Sequence, residues 1–176
     1  MDIMLLRAFQ RQVLFQCQAI LTADEEIRRG LAEGDLTRVF CGVQNMLNAA
    51  TNCSKALWGQ SGRFATQRQE LRDSIGVADN SPLRDPDMRN NFEHFDERLD
   101  RWWLDSTSHN YADMNLMPRN AIQGLDDIDM FRAFDPATWD LGFWGQTFNL
   151  RRIVIEVQRI LPKVSEDAQK PHWEMP

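Results

Sequence analysis

Long hydrophobic runs are missing from this 176-residue chain, in which no stretch of about 18 apolar residues occurs. This lack predicts that the chain has no membrane-spanning helix. The N-terminal segment MDIMLLRAFQRQVLF is interrupted by Asp2, Arg7 and Arg11, and no small-residue cleavage site follows it. It therefore does not have the pattern of a secretory signal, and we expect a cytoplasmic protein without a membrane partner.

Cysteines and the common catalytic motifs are equally scarce. Cys17, Cys41 and Cys53 are odd in number and widely spaced, which fits neither a disulfide framework nor a zinc motif. Buried, reduced thiols are expected. The sequence has no Gly-rich phosphate loop, no HExxH and no GxSxG. Because His and carboxylate residues do not cluster, a metal hydrolase is disfavoured, and we expect neither a metal nor a cofactor.

Positive charge is in deficit, with 20 Lys and Arg against 26 Asp and Glu and a net charge of -6. This balance argues against a chain that coats nucleic acid through bulk charge, but it leaves room for a local basic site. Only three basic residues are Lys, and the other 17 are Arg. The guanidinium group suits phosphate, although the base composition of the gene explains the same bias.

Apolar residues recur at three- and four-residue steps along most of the chain, which predicts helices. A capping box at Thr22 and Glu25 predicts a second helical stretch between the first helix and Gly34. Pro162 is expected to end the last helix. The other predicted helices cover about 36–58, 63–74, 86–105 and 149–161, so that the chain has four long helices and shorter helical stretches.

One segment alternates like a strand pair. Trp139, Leu141 and Phe143 alternate with Asp140 and Gly142 after a turn at 135–138, which predicts a small β-hairpin. The predicted fold class is all-α: an up-and-down bundle of four to five helices with a hairpin insertion near 128–145. The bundle is expected to form one domain over 1–161, followed by an extended C-terminal tail over 162–176.

The helix predicted after Pro86 has two distinct faces. Its core face carries Phe92, Phe95, Leu99 and Trp102. Its polar face carries Asn90, His94, Glu97 and Arg101. His94 and Glu97 are three residues apart, so their side chains can touch. Arg89, in the first turn, can reach over the helix end toward a phosphate bound near His94.

The segment Arg89-Asn90-Asn91-Phe92-Glu93-His94 resembles the Arg-polar-x3-His motif of the HEPN superfamily (higher eukaryotes and prokaryotes nucleotide-binding). The resemblance implies a helical bundle that dimerises, so that the motifs of two subunits meet in one cleft. It also implies a metal-independent endoribonuclease with an RNA substrate. Such proteins act as toxins, with an antitoxin or a nucleotidyltransferase-like partner, or in phage defence, and some members are inactive scaffolds.

The resemblance assigns roles to the motif residues. His94 acts as base or acid, Arg89 holds the phosphate, and Asn90 orients the imidazole or binds substrate. Substrate-binding residues expected beside them are Arg98, Arg101, Asn48 and Asn52. Asn48 and Asn52 belong to a polar stripe on the second helix that either faces solvent or lines the same cleft as His94.

Two alternatives remain open from the sequence. The motif residues can be solvated surface side chains, with Arg89 paired to Glu93 and His94 to Glu97 or Arg101. The second alternative is that the chain is a catalytically inactive helical dimer that binds a nucleotide or a partner protein.

Other polar and aromatic residues receive a structural interpretation. The loop His109-Asn110-Tyr111, with Asp113, is either an active-site loop or a polar loop, and a polar loop is the favoured interpretation. The acidic run Asp126, Asp127, Asp129 and Asp135 is interpreted as a solvated loop. Core packing or a dimer interface is the favoured role for Trp102, Trp103, Trp139 and Trp144.

Overall fold

The computed structural model describes residues 1–59, 63–84, 94–118, 121–143, 145–171 and 173. The helices are α1 (Ile3–Glu33), α2 (Leu36–Trp58), α3 (Arg63–Ile75), α4 (Phe95–Asp105) and α5 (Leu150–Gln169), with a 3-10 turn at Pro82–Arg84. The strands are β1 (Asn115–Leu116), β2 (Arg132–Asp135), β3 (Asp140–Phe143) and β4 (Gln146–Asn149). The chain is therefore mostly helical, as predicted, with a small sheet.

Helices α1 and α2 form a long antiparallel pair. The Asp2 carboxylate caps α1, and the Asp35 carboxylate caps α2 by accepting from the backbone N–H of Arg38 at 2.9 Å. The two helices approach closely at Gly42, where an added Cβ would lie 2.8 Å from Cγ1 of Ile27. The predicted extent of α2, ending at the glycine after Trp58, is confirmed.

Helix α1 is continuous, so the predicted boundary at Thr22 is wrong. Ile20, Ala23 and Ile27 continue the buried stripe without a break, and all three are almost inaccessible to solvent. Burial of this stripe outweighs the capping tendency of Thr22, whose side chain is exposed within the helix.

Helix α5 also extends beyond its predicted end. Pro162 lies inside the helix, which continues to Gln169, so the predicted extended tail over 162–169 is wrong. The missing N–H of a proline costs one helical hydrogen bond. Val164 and Ala168 are buried one and two turns after Ile160, and this continued apolar stripe offsets the loss.

The predicted hairpin is confirmed as the antiparallel pair β2–β3, but it is half of a larger sheet. The sheet has the order β1-β2-β3-β4, with β1 parallel to β2 and β4 antiparallel to β3. The all-α prediction is corrected accordingly. Trp139 belongs to the turn rather than to a strand, because its φ of 65° lies in the left-handed region.

Helices α1, α2, α3 and α5 pack together as the bundle, and the sheet covers one part of it. Phe134, Leu141 and Phe148 join the same hydrophobic core as the helices. Helix α4 differs from the others, since none of its residues is buried. Among the helices that the structure describes, none combines the length and apolar character needed to cross a membrane.

Candidate functional site

The sequence motif is only partly within the described residues. Arg89 and Asn90, together with the predicted helix start at Pro86, lie outside them. His94 is described, and it is the N-cap of α4 rather than an interior helical residue as predicted. Asp96 and Glu97 follow in the first turn, where carboxylates complement the positive end of the helix.

The His94 imidazole is open to solvent and has a carboxylate neighbour. Its side chain is 52 % exposed, and its Nδ1 lies 3.2 Å from Oε1 of Glu97. A carboxylate only accepts hydrogen bonds, so this neighbour favours a proton on Nδ1. Nε2 is then the nitrogen that can exchange a proton with a substrate.

Arg98 and Arg101 lie on the same side of α4 as His94 by helical spacing. Arg101 is exposed and Arg98 is half-buried. The opposite side of the helix carries Phe95 and Leu99. This arrangement leaves α4 with a polar side, on which Arg98 and Arg101 lie with the carboxylate of Glu97 beside His94, and an apolar side toward the rest of the molecule.

Asn48 and Asn52 lie on α2 in a surface groove against α1. Phe15, Ala19 and Asn45 are among the other residues that line the groove. Within the part of the chain that the structure describes, no residue of α4 contributes to it. Both asparagines are exposed on α2, and the groove that they line is separate from α4.

A second concavity, here called the α4 cleft, lies between α2, α4 and the sheet and has a volume of about 160 Å³. Its lining consists of Gln44, Phe95, Leu99, Tyr111, Phe131, Arg132 and Phe143. Phe131 and Phe143 are buried, whereas Phe95 and Tyr111 are about half exposed. The cleft thus combines an aromatic floor with two side chains that can form hydrogen bonds, an amide and a guanidinium.

Arg132 is held in the cleft wall by Asp113. Its Nε and Nη2 donate to the two carboxylate oxygens at 2.7 and 2.6 Å, a bidentate pair. The hydrogen bonds to Asp113 raise the pKa of Arg132, so the guanidinium stays charged. The Tyr111 hydroxyl donates to the same carboxylate at 3.1 Å. Burial, followed by the Asp113 charge, raises the pKa of Tyr111 to about 12.

Asp129 holds the segment that joins α4 to the sheet. The carboxylate is only 1 % exposed, so the predicted solvated acidic loop is wrong at this residue. It accepts from Nε1 of Trp102 at 2.9 Å, from the Ser106 hydroxyl at 2.6 Å and from the Ser108 hydroxyl. Burial raises the pKa of Asp129, but these hydrogen bonds outweigh burial and lower it overall.

The loop after α4 is ordered by these contacts. His109 has a φ of 52°, and its Nε2 lies 3.1 Å from the carbonyl oxygen of Trp103. Trp103 is largely exposed, whereas Trp139 is buried. Trp144 lies outside the described residues. The tryptophans of α4 therefore form part of the cleft surroundings and not of the core.

The sequence did not predict that Gln44 and Arg132 share a cleft with Phe95 and Leu99. Gln44 belongs to the polar stripe of the second helix that also carries Asn48 and Asn52, and Arg132 lies within the predicted hairpin insertion. Asp113 and Arg132 are 19 residues apart, a separation that no helical or strand periodicity connects. Cys41 was expected to be buried but is exposed, unlike Cys17 and Cys53.

Comparison of the chain with family models, curated proteins and solved structures gives no match. Among the residues that the structure describes, no three His, Cys, Asp or Glu side chains are placed to hold a metal ion together. Interpretation of the site therefore depends on the His94 motif, α4 and the cleft beneath it.

Proposed function

We propose that the chain is a HEPN-like, metal-independent endoribonuclease, either a toxin or a component of phage defence. The observation that carries the proposal is the position of His94. It is exposed at the start of a helix, has Glu97 at 3.2 Å, and completes the Arg-Asn-x3-His motif with Arg89 and Asn90. An imidazole with these features is accessible to RNA and can act as a general acid or base.

The proposed reaction is an internal transesterification of RNA. Nε2 of His94 removes the proton from a ribose 2′-hydroxyl, and the 2′-oxygen attacks the neighbouring phosphorus. The bond from phosphorus to the 5′-oxygen breaks, and this oxygen leaves after it receives a proton. Arg89 stabilises the negative charge that develops on the phosphate. The products are a 2′,3′-cyclic phosphate and a 5′-hydroxyl end.

A homodimer completes this mechanism. Each chain supplies one motif histidine, so a second chain supplies the acid that protonates the leaving 5′-oxygen. Arg98 and Arg101 place two guanidinium groups on the side of α4 that carries His94, where they can bind the phosphates that flank the cleaved bond. An antitoxin or nucleotidyltransferase-like partner would cover this side and block access to His94.

A second candidate is a non-catalytic helical module that binds a nucleotide or a partner protein. Three large apolar side chains on α4 are exposed, namely Phe95, Trp103 and Leu104. Exposed apolar residues on one helix are typical of surfaces that bind partners. Among them, Phe95 also lines the α4 cleft, so nucleotide binding and partner binding are both compatible with this candidate.

An RNA cleavage assay in excess EDTA distinguishes the candidates. We expect cleavage to persist in EDTA and to fall by more than about 10⁴-fold in His94→Ala, because the substitution removes the general base from one chain and the general acid from the other, and each contributes about 10²- to 10⁴-fold. His109→Asn is the matched control, because that histidine is exposed and asparagine tolerates its positive φ. Cleavage by His94→Ala at the wild-type rate would contradict the mechanism.

The same variants can be tested in cells. If the chain is a toxin, its expression slows growth, and Arg89→Ala or His94→Ala relieves the effect. If the wild-type protein and His94→Ala are both folded but neither cleaves RNA at any ratio of protein to RNA, the non-catalytic module is favoured.

A further inference from the structure

We propose that the α4 cleft binds a single uncharged nucleobase. The inference deepens the proposed function, because it assigns the recognition subsite of the RNA substrate. It is drawn from the side chains of the cleft rather than from the His94 motif. Two properties carry it, namely the size and aromatic lining of the cleft and the guanidinium in its wall, whose charge is paired with a carboxylate.

The lining and the volume suit one planar ring. Phe131 lies between Tyr111 and Phe143, with ring centroids 5.3 and 5.4 Å away. A cavity of roughly 150 Å³ is known to hold one aromatic ring, and this cleft measures about 160 Å³. Partly exposed aromatic side chains provide the faces on which bases stack in proteins that bind single-stranded nucleic acid.

The polar groups of the cleft favour an uncharged ligand. Asp113 accepts from Nε and Nη2 of Arg132 and balances the charge of the guanidinium, whose Nη1 can donate to another group. A guanidinium paired with a carboxylate attracts a phosphate only weakly, but it still donates to a base carbonyl or ring nitrogen. Gln44, exposed on α2, adds an amide that both donates and accepts. The edge of a nucleobase carries both hydrogen-bond donors and acceptors, which can pair with Gln44 and Arg132.

The cleft is adjacent to the proposed reaction centre. Phe95, which lines it, directly follows His94 in the chain. A base held in the cleft therefore lies near the N-terminal end of α4, the end that carries His94. Base recognition beside the general base would select which phosphodiester bond is cleaved.

Cys41 provides a natural probe for occupancy. It is exposed and lies three residues before Gln44 on the same side of α2, whereas Cys17 and Cys53 are buried. Iodoacetamide should therefore modify Cys41 first in the folded protein. We expect millimolar uridine or adenosine to slow this modification, and ribose 5-phosphate, which lacks a base, to leave it unchanged.

Variants test the residues that carry the proposal. Gln44→Ala should weaken nucleoside protection about fivefold, the usual effect of one lost hydrogen bond. Tyr111→Leu should weaken it about tenfold through loss of stacking. Gln158→Ala, an exposed helical glutamine on α5, is the matched control and should bind like wild type.

The outcomes separate this proposal from the proposed function. Protection by nucleosides that survives His94→Ala supports the cleft as a base site, even if no RNA is cleaved. The base-site proposal would be overturned if neither nucleoside slowed the modification of Cys41, or if ribose 5-phosphate slowed it equally. It would also be overturned if Gln44→Ala and Tyr111→Leu bound nucleosides as tightly as the wild type does. Cleavage of RNA without nucleoside protection would leave the ribonuclease proposal standing and remove the base site.

Discussion

Replacement of Asp129 by Asn should destabilise the protein by about 2 kcal/mol, although the two side chains have nearly the same shape. The carboxylate accepts from Trp102, Ser106 and Ser108. In Asp129→Asn the amide oxygen can retain the two bonds made to Oδ1, but without the charge that strengthens them. The amide nitrogen cannot accept from Ser108, so the third bond is lost in its present form.

The magnitude follows from these three bonds. Hydrogen bonds to charged groups contribute about 1.5–3 kcal/mol each, against about 1 kcal/mol for neutral pairs. Relief from burying a charge offsets part of the loss, which gives a net value of about 2 kcal/mol. Asp129→Ala leaves all three donors without their acceptor and should cost about 4 kcal/mol.

Urea denaturation followed by tryptophan fluorescence measures the effect. With a slope of about 2 kcal/mol per molar urea, the midpoint of Asp129→Asn should fall by about 1 M. Asp126→Asn removes an exposed carboxylate of the same loop and should leave the midpoint unchanged. Equal midpoints for wild type and Asp129→Asn would refute the assignment of Asp129 as the anchor of this loop.

The dependence on pH provides a second check. The folded protein lowers the pKa of Asp129, so the carboxylate contributes stability that is fully present above its unfolded pKa of about 3.9. This contribution is lost as pH falls through the folded-state pKa. The difference in the free energy of unfolding between wild type and Asp129→Asn should therefore be constant above about pH 5 and should become smaller at lower pH.

Three further predictions concern other parts of the structure. Tyr111 is the only tyrosine, so ultraviolet difference absorbance should show a single phenol that titrates near pH 12. Asp113→Asn should lower the pKa of Tyr111, but burial should keep this pKa above about 10. Pro162→Ala should stabilise the protein by about 1–3 kcal/mol in urea denaturation, because it restores a helical N–H. Gly42→Ala should destabilise the protein by about 1–3 kcal/mol in the same assay, because the added Cβ lies 2.8 Å from Cγ1 of Ile27. An unchanged urea midpoint would instead show that α1 and α2 can move apart to accept the methyl group.

The helices were predictable where one apolar stripe decides the structure. The spacing of buried residues in α2, with Asp35 before it and Gly59 after it, was enough to place both ends. Local sequence signals predicted wrong helix boundaries where the buried apolar stripe continues past them. Thr22 and Pro162 each suggest a boundary, but the stripe resumes on the far side of both residues, and packing of the whole helix outweighs one local preference.

The sheet and the cleft were less accessible to sequence reasoning, because both depend on contacts between distant residues. Strand β1 has two residues and pairs in parallel with β2 across an intervening loop. So short a strand has no periodicity of its own. Asp113 and Asp129 look like ordinary loop carboxylates in the sequence, and only their partners in space distinguish them from Asp126.

These two carboxylates connect the sheet to the candidate site. Helix α4 has no buried residue, so its position depends on a few contacts rather than on a packed face. Trp102 attaches the helix to Asp129, and Asp113 holds Arg132 opposite Phe95 in the cleft. An element fixed by so few contacts belongs to the part of a protein that opens most easily. The amphipathic pattern that made α4 resemble a bundle helix in the sequence thus serves in the structure to form one wall of a cleft, through Phe95 and Leu99.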